Sequence, residues 1–265
     1  MVKIISLVNK KGGSGKTTST LEVAYNLSVH SNKRILIVDL DSQASSTSRL
    51  LQIKDGEQFV GDTIGHLMSE EIEVERTKKA IQECTKEWPN IFLLPSSIEL
   101  ASLETDLEKQ RMREFRLKKV LSPFQDYFDY ILIDLPPGMN CYIINALVAS
   151  TDVIVTAETS DYALDGVRFV HSLIKDIKKE GLNSELEFSG VLINQLQKLQ
   201  SISVKQLVDT IEKEFGNDKL NNTRVPHSTK VLDSQRQYCA VSKLAPNNPV
   251  SVAYKNISSA IVNNF

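Results

Sequence analysis

The segment of this 265-residue chain best equipped for chemistry is Lys10-Lys11-Gly12-Gly13-Ser14-Gly15-Lys16-Thr17-Thr18. It follows an apolar run, Ile4–Val8, broken only by Ser6, and it opens an amphipathic stretch, Lys16–Val29. A glycine-rich loop between a strand and a helix is the setting of a phosphate-binding loop. Gly12, Gly13, Ser14 and Gly15 allow backbone N–H groups to converge on phosphate oxygens, and the helix N-terminus adds partial positive charge. Lys16 is then spaced to reach β- and γ-phosphates, the Thr17 hydroxyl to ligate Mg²⁺, and Thr18 to extend the cradle. The usual pattern, G-x-x-x-x-G-K-[ST], has a glycine where Lys10 stands, and Lys11 follows it. Cradling one nucleotide requires no long cation there. Lys11 suits phosphate charge on a nucleotide held by a second subunit, as an arginine finger acts in trans; the alternative is a solvated side chain.

Two further carboxylate groups stand at strand ends. One run closes as Asp39-Leu40-Asp41-Ser42-Gln43, another as Asp134-Leu135-Pro136-Pro137-Gly138. In a parallel sheet the C-terminal strand ends form the ligand crevice, so both groups should face the loop. Asp134 fits a Walker B residue that holds Mg²⁺ through its water shell. Asp39 closes the apolar strand, which leaves Asp41 as the candidate to position an attacking water and to approach the metal. An isolated aspartate after a strand is otherwise a turn former or helix cap.

These residues need a scaffold, and the hydropathy pattern supplies one. Runs at Ile4–Val8, Arg34–Asp39, Ile91–Leu94, Tyr130–Asp134, Val153–Thr156 and Gly190–Asn194 read as strands buried on both faces. Stretches at Lys16–Val29, Arg113–Leu121, Asn145–Ala149, Gly166–Lys179 and Val204–Phe215 have helical spacing. The alternation predicts an α/β fold with a mainly parallel, twisted sheet flanked by helices. Residues 52–90 are polar and poorly patterned, with one helix expected near Glu73–Cys84. Beyond Asn217 the pattern fades into turns before a last helix near Ser251–Val262. With no repeat and no low-complexity linker, residues 1–265 are expected to be one P-loop domain.

Composition narrows the function classes. Lys and Arg number 31 against 33 Asp and Glu, a net charge of −2, so any nucleic-acid contact must come from a local patch. Cys84, Cys141 and Cys239 form no CxxC pair, and His30, His66, His171 and His227 are scattered, which argues against a zinc site or a disulfide framework. No run approaches the roughly 18 apolar residues of a membrane span, and the N-terminus lacks a secretory layout. A cytoplasmic setting is expected.

Taken together, Lys11-Gly12-Gly13-Ser14-Gly15-Lys16-Thr17-Thr18 resembles the K-G-G-x-G-K-T-T signature of the deviant Walker A ATPases, the ParA/MinD superfamily. Asp39-Leu40-Asp41-Ser42-Gln43 resembles the D-x-D-P-Q of that family, and Arg113-Glu114-Phe115-Arg116-Leu117 its R-E-Y-R-L helix. Asp134-Leu135-Pro136-Pro137 with Ile144-Asn145-Ala146-Leu147 resembles D-x-P-P…I-N-A-L, and Ala163-Leu164-Asp165-Gly166 stands for A-L-E-G. The likeness spans nearly the whole chain and is closest to ParA-type (Soj-like) partition proteins. It implies ATP rather than GTP, Mg²⁺, and a homodimer sandwiching two ATP molecules, with Lys11 of each subunit reaching its partner's phosphates. It further implies binding to non-specific double-stranded DNA on the nucleoid, and slow hydrolysis stimulated by a ParB-type centromere-binding partner. Asn194 matches a position that contacts adenine, and Val225-Pro226 the loop that closes over the base. Ser42 replaces the usual proline and Leu135 the usual small residue, but neither change removes a charged group. Because the loop begins at position 10, no N-terminal helix-turn-helix domain is expected.

From Leu186 to Phe265 nine Lys or Arg stand against six Asp or Glu, a modest excess that a dimer would double. Lys230 lies where the family often touches DNA; Lys198, Arg224 and Arg236 are weaker candidates. A MinD-like division-site ATPase would carry a basic amphipathic C-terminal helix for lipid, but residues 251–265 hold one lysine and no arginine, so no membrane partner is expected. An iron–sulfur reductase would need a second cysteine beside Cys141, and a tyrosine kinase of this superfamily a C-terminal tyrosine cluster. A nucleotide-gated adaptor with little hydrolysis is a further alternative.

Overall fold

The computed structural model describes residues 2–54, 56–158, 163–196, 202–215, 220 and 224–265, and the apolar runs build its central sheet. The strands are β1 (Lys3–Val8), β2 (Ile35–Asp39), β3 (Gln82–Glu83), β4 (Ile91–Leu94), β5 (Tyr130–Asp134), β6 (Asp152–Glu158), β7 (Glu187–Leu196) and β8 (Arg224–Pro226). They lie in the order β3-β4-β2-β5-β1-β6-β7-β8. Only β3 is antiparallel to its neighbour among these pairings. The chain leaves β1 toward one edge and later returns to add β6 to β8 toward the other. The crevice at such a switch point is where open α/β sheets bind ligands.

Twelve α-helices are described: α1 (Lys16–Ser31), α2 (Ser45–Leu51), α3 (Ile64–Ser69), α4 (Val74–Ala80), α5 (Leu100–Glu108), α6 (Arg116–Leu121), α7 (Cys141–Ala149), α8 (Ala163–Lys179), α9 (Ile202–Phe215), α10 (Lys230–Arg236), α11 (Val241–Leu244) and α12 (Pro249–Asn264). Strand periodicity sends alternate side chains into two cores. Leu36 and Val38 of β2, with Ile131 and Ile133 of β5, face the core capped by α3, α5, α6, α7 and α8. Ile35 and Ile37, with Tyr130 and Leu132, face the core capped by α1 and α12, where Trp88 and Tyr254 are fully enclosed. A fully buried Leu or Ile contributes about 1.5–3 kcal/mol relative to exposure, so a strand with both faces filled is firmly registered.

The expected α/β architecture and its strands are present, with local corrections. The helix expected over Glu73–Cys84 stops at Ala80, because Ile81 turns extended (φ −68, ψ 120) and Gln82–Glu83 pairs with β4. The polar 52–90 segment also holds α3, anchored by buried Ile64, Leu67 and Met68. Arg113–Leu121 divides into a 3-10 turn, Arg113–Phe115, and α6. The last helix begins at Pro249, two residues earlier than expected, with Asn248 Oδ1 capping Val250 N at 3.1 Å. The turn-rich stretch before it contains β8, α10 and α11. No described helix is long and apolar enough to cross a membrane.

Candidate nucleotide-binding site

The loop between β1 and α1 is fastened by two of its own side chains, Asn9 and Ser14, and by a backbone contact from the loop after β5. Asn9, buried at the end of β1, donates from Nδ2 to the Thr156 carbonyl and accepts the Lys11 N–H at Oδ1, 2.8 Å away. Ser14 Oγ meets Thr156 Oγ1 at 3.1 Å, and Gly138 N donates to the Lys10 carbonyl at 2.8 Å. Gly13 (φ 77) and Gly15 (φ 84) occupy the left-handed region, where a Cβ is strained. Gly15 is the N-cap of α1, and no side chain caps the helix there. Its first N–H groups therefore point out of the helix without a side-chain acceptor, which together with the dipole suits an anion.

Lys16 is buried, with Nζ 3.3 Å from the Lys11 carbonyl. Burial pushes its pKa down, while Asp134 and Asp41 oppose that shift and favour the ammonium. Asp134, at the end of β5, is wholly buried, and Ser46 Oγ donates to its Oδ2 at 2.7 Å. Its Oδ1 has no hydrogen bond within normal limits, although the Thr17 hydroxyl is near enough to favour the charged carboxylate. Burial raises the Asp134 pKa, and Asp41 adds repulsion. Desolvating a carboxylate without a full set of donors is costly, so a cation beside Oδ1 would complete the arrangement. Thr17, Asp134 and Asp41 fit Mg²⁺, which keeps most of its waters and takes one or two carboxylates plus phosphate oxygens. No group of three His, Cys, Asp or Glu forms an all-protein metal cage among the described residues.

The two aspartates at the C-terminal end of β2 are placed differently. Asp39 is buried, and its Oδ2 accepts Thr47 N and Thr47 Oγ1, each at 2.8 Å, while Oδ1 accepts Asp41 N at 3.1 Å. It fastens the following loop to α2. Asp41 instead lines the cleft, with Oδ1 accepting Gln43 N at 2.9 Å and its carbonyl accepting Ser96 Oγ at 2.8 Å. Among the described residues no hydrogen bond is made by its second carboxylate oxygen.

Lys11 has a pinned backbone and an outward amine. Nζ forms an ion pair with Glu158 Oε1 at the end of β6, and the lysine side chain retains 56% exposure. Strand-end position could have singled out Glu158 as it did Asp41 and Asp134. Lys10 lies over the Phe169 ring at 5.4 Å.

Gly12, Gly13, Gly15, Lys16, Thr17, Thr18, Asp41, Asn194, Val225 and Pro226 line one cleft of about 480 Å³, within the range of nucleotide-sized pockets. His227, Val231, Leu232 and Tyr254 close its apolar end; their participation has no local sequence signal, because α10 and α12 reach the cleft only through the fold. Asn194 is buried with its amide turned to the protein. Nδ2 donates to the Ser14 carbonyl at 2.9 Å and to Ser19 Oγ at 3.1 Å, while Oδ1 accepts Tyr254 OH at 3.4 Å. It braces the loop from beneath as well as lining the cleft.

Among the expected DNA contacts, Lys230 opens α10, is exposed, and pairs with Asp233 at 2.9 Å. Arg236 closes the same helix, and Arg224 begins β8, half-buried. Lys198 lies outside the described residues. The last helix, α12, buries Val250, Tyr254, Ile257 and Ile261 against the core, so its apolar face is already used.

Comparison with known proteins places this cleft in context. Residues 2–188 match a family model described as AAA domain. The chain is 31% identical to the sporulation initiation inhibitor protein Soj of Bacillus subtilis over 265 residues, all of both chains. Among solved structures, a putative plasmid partition protein of Borrelia burgdorferi bound to AMPPNP aligns with a TM-score of 0.80 at 23% identity, over 100% of both chains. The septum site-determining protein MinD of Pyrococcus horikoshii, complexed with Mg-ADP, aligns at 0.76 and 20% identity, over 98% of this chain and 96% of that one. At these identities the two structures speak to fold alone.

Proposed function

Because the chain belongs to the AAA-domain family and, within it, to the ParA-type partition ATPases, we propose that it uses ATP binding and hydrolysis to control attachment to DNA. The observation that carries this reading is the position of Lys11, with its backbone fixed in the phosphate loop and its amine outside its own cleft. ATP occupies the cleft with its phosphates on Gly12–Thr18 and Lys16, and its base near Asn194, Val225 and Pro226. Thr17 and Asp134 hold Mg²⁺, with Asp41 close by; when bound, the ion neutralises charge on the phosphate oxygens. Asp41 orients the attacking water. Two such subunits face one another, and each Lys11 crosses to the phosphates opposite, so the homodimer forms only with ATP.

In the dimer Lys230, aided by Arg224, Arg236 and Lys198, contacts the backbone of non-specific double-stranded DNA, and pairing two subunits doubles the contacted charge. Hydrolysis, slow alone and accelerated by a ParB-type partner, separates the subunits and releases the DNA. The protein is then a nucleoid-associated cytoplasmic ATPase for plasmid or chromosome segregation. A membrane-bound division-site role is the weaker reading, since the apolar face of α12 is occupied by the core. The test is binding to random duplex DNA and to anionic liposomes, without nucleotide, with ADP, and with ATP plus Mg²⁺. DNA binding confined to ATP supports the proposal; liposome binding without DNA binding overturns it in favour of the division-site class. Binding to neither leaves a nucleotide-gated adaptor.

A further inference from the structure

Beside the nucleotide cleft runs a second groove of about 670 Å³, between α2, the loop after it and the end of α10. The two share Thr17, Thr18, Gln43 and Gln235 along a common wall. Among its described lining residues, the cations Arg49, Lys54 and Arg236 outnumber the one carboxylate, Glu57. Glu57 is itself engaged, as its Oε2 accepts Lys54 N at 3.4 Å. Among the described residues, neither the Lys54 amine nor the Arg236 guanidinium has a hydrogen-bond or ion-pair partner.

Arg49 is the most telling of the three. It is only 8% exposed, and its solvent-shielded Nε has no hydrogen-bond partner among the described residues. One terminal nitrogen donates to the Cys239 carbonyl at 3.2 Å, and the guanidinium lies 6.0 Å from the centre of the Trp88 ring. Burial pushes the Arg49 pKa down and the buried Glu22 carboxylate opposes that shift, but Glu22 accepts its own hydrogen bonds from Val241 N at 2.6 Å and from Ser242 N and Oγ at 3.1 and 2.8 Å. A buried guanidinium this short of acceptors is costly, and an anion against its groove side would offset part of that cost through charge. The hydroxyls of Ser45, Ser48 and Tyr238 add neutral donors to the same wall.

We propose that this groove is a second anion site, which takes a phosphate group between Arg49, Lys54 and Arg236 while a nucleotide occupies the neighbouring cleft. Arginine suits phosphate through its planar fork and lysine as a point charge. The shared Thr17–Thr18 wall places the two ligands side by side, so occupancy of one is felt at the other. The phosphate belongs either to a free nucleotide-sized anion or to the DNA backbone. The site requires nucleotide in the cleft but not DNA binding.

The full chain is first saturated with ADP and excess Mg²⁺, which shows separately whether the cleft binds nucleotide. Inorganic pyrophosphate is then titrated calorimetrically, with the fluorescence of Trp88, the chain's one tryptophan, as a second readout. One further site per chain is expected without loss of ADP. Lys54→Glu, at an exposed position that should leave folding intact, weakens pyrophosphate roughly tenfold or more, and Lys54→Arg restores it. No additional site, or equal affinity in wild type and Lys54→Glu, overturns the proposal. Repeating the titration with AMPPNP and duplex DNA identifies the source: displacement assigns the phosphate to DNA, persistence to a free anion, and both require the site.

Discussion

The brace between Gly15 and Asn194 makes a quantitative prediction. A Cβ added at Gly15 would stand 2.7 Å from Asn194 Nδ2 and 3.2 Å from its Cγ, at a backbone φ of +84°. The left-handed conformation alone costs a non-glycine residue about 1–2 kcal/mol. Pushing the amide aside breaks its bonds to the Ser14 carbonyl and Ser19 Oγ, worth about 1 kcal/mol each. Gly15→Ala should therefore destabilise the fold by about 3–4 kcal/mol. Asn194→Ala loses the same two bonds, so in the double variant the clash has no object and only the backbone strain is added. Urea denaturation should find the double variant about 2 kcal/mol more stable than the sum of the single changes, the worth of the two bonds that both single variants lose. ATP affinity should fall in both single variants, because each disturbs the loop. Strict additivity, or Gly15→Ala within about 0.5 kcal/mol of wild type, would refute the brace.

Other perturbations separate the roles assigned within the site. Asp41→Ala should still dimerise with ATP while hydrolysis falls by at least about 10²-fold, measured as phosphate release; failure to dimerise would make Asp41 structural. Glu158→Gln removes the ion pair that holds Lys11 in its own subunit, a half-exposed contact worth about 0.2–1 kcal/mol, so ATP-driven dimerisation should strengthen by up to about fivefold per subunit. Weaker dimerisation would place Glu158 in the interface instead. Lys230→Glu should weaken DNA binding and reduce its salt slope by about 1 for each DNA phosphate left without its lysine, with ATPase activity retained. An unchanged slope would remove Lys230 from the DNA face.

What was legible in the sequence follows from where the physics is local. β1, β2, β5 and the loop at Lys10–Thr18 announce themselves because both faces of a buried parallel strand must be apolar and the loop must be glycine-rich. The placements of Asp39 and Asp41 separate for the same reason: one belongs to the apolar run, the other follows it. The illegible parts depend on distant partners. β3 is two residues long and exists only because Cys84 and Gln82–Glu83 find β4 across a turn. α10 carries one buried side chain, Ser234, so it lacks the apolar stripe by which a helix is recognised. Asn194 illustrates the limit at the site itself. Its position at the end of the apolar run Gly190–Asn194 places it at the crevice, but its bonds to Ser14, Ser19 and Tyr254 arise from separate parts of the chain.

The central claim is that Lys11 acts across a subunit boundary that only the triphosphate closes. Sedimentation equilibrium of wild type and Lys11→Ala, each with ADP or AMPPNP plus Mg²⁺ and with bound nucleotide measured in parallel, tests it most directly. The expected mass is 29.7 kDa for both proteins with ADP and twice that for wild type alone with AMPPNP, with AMPPNP bound to both. A Lys11→Ala chain that dimerises with AMPPNP as wild type does would contradict it.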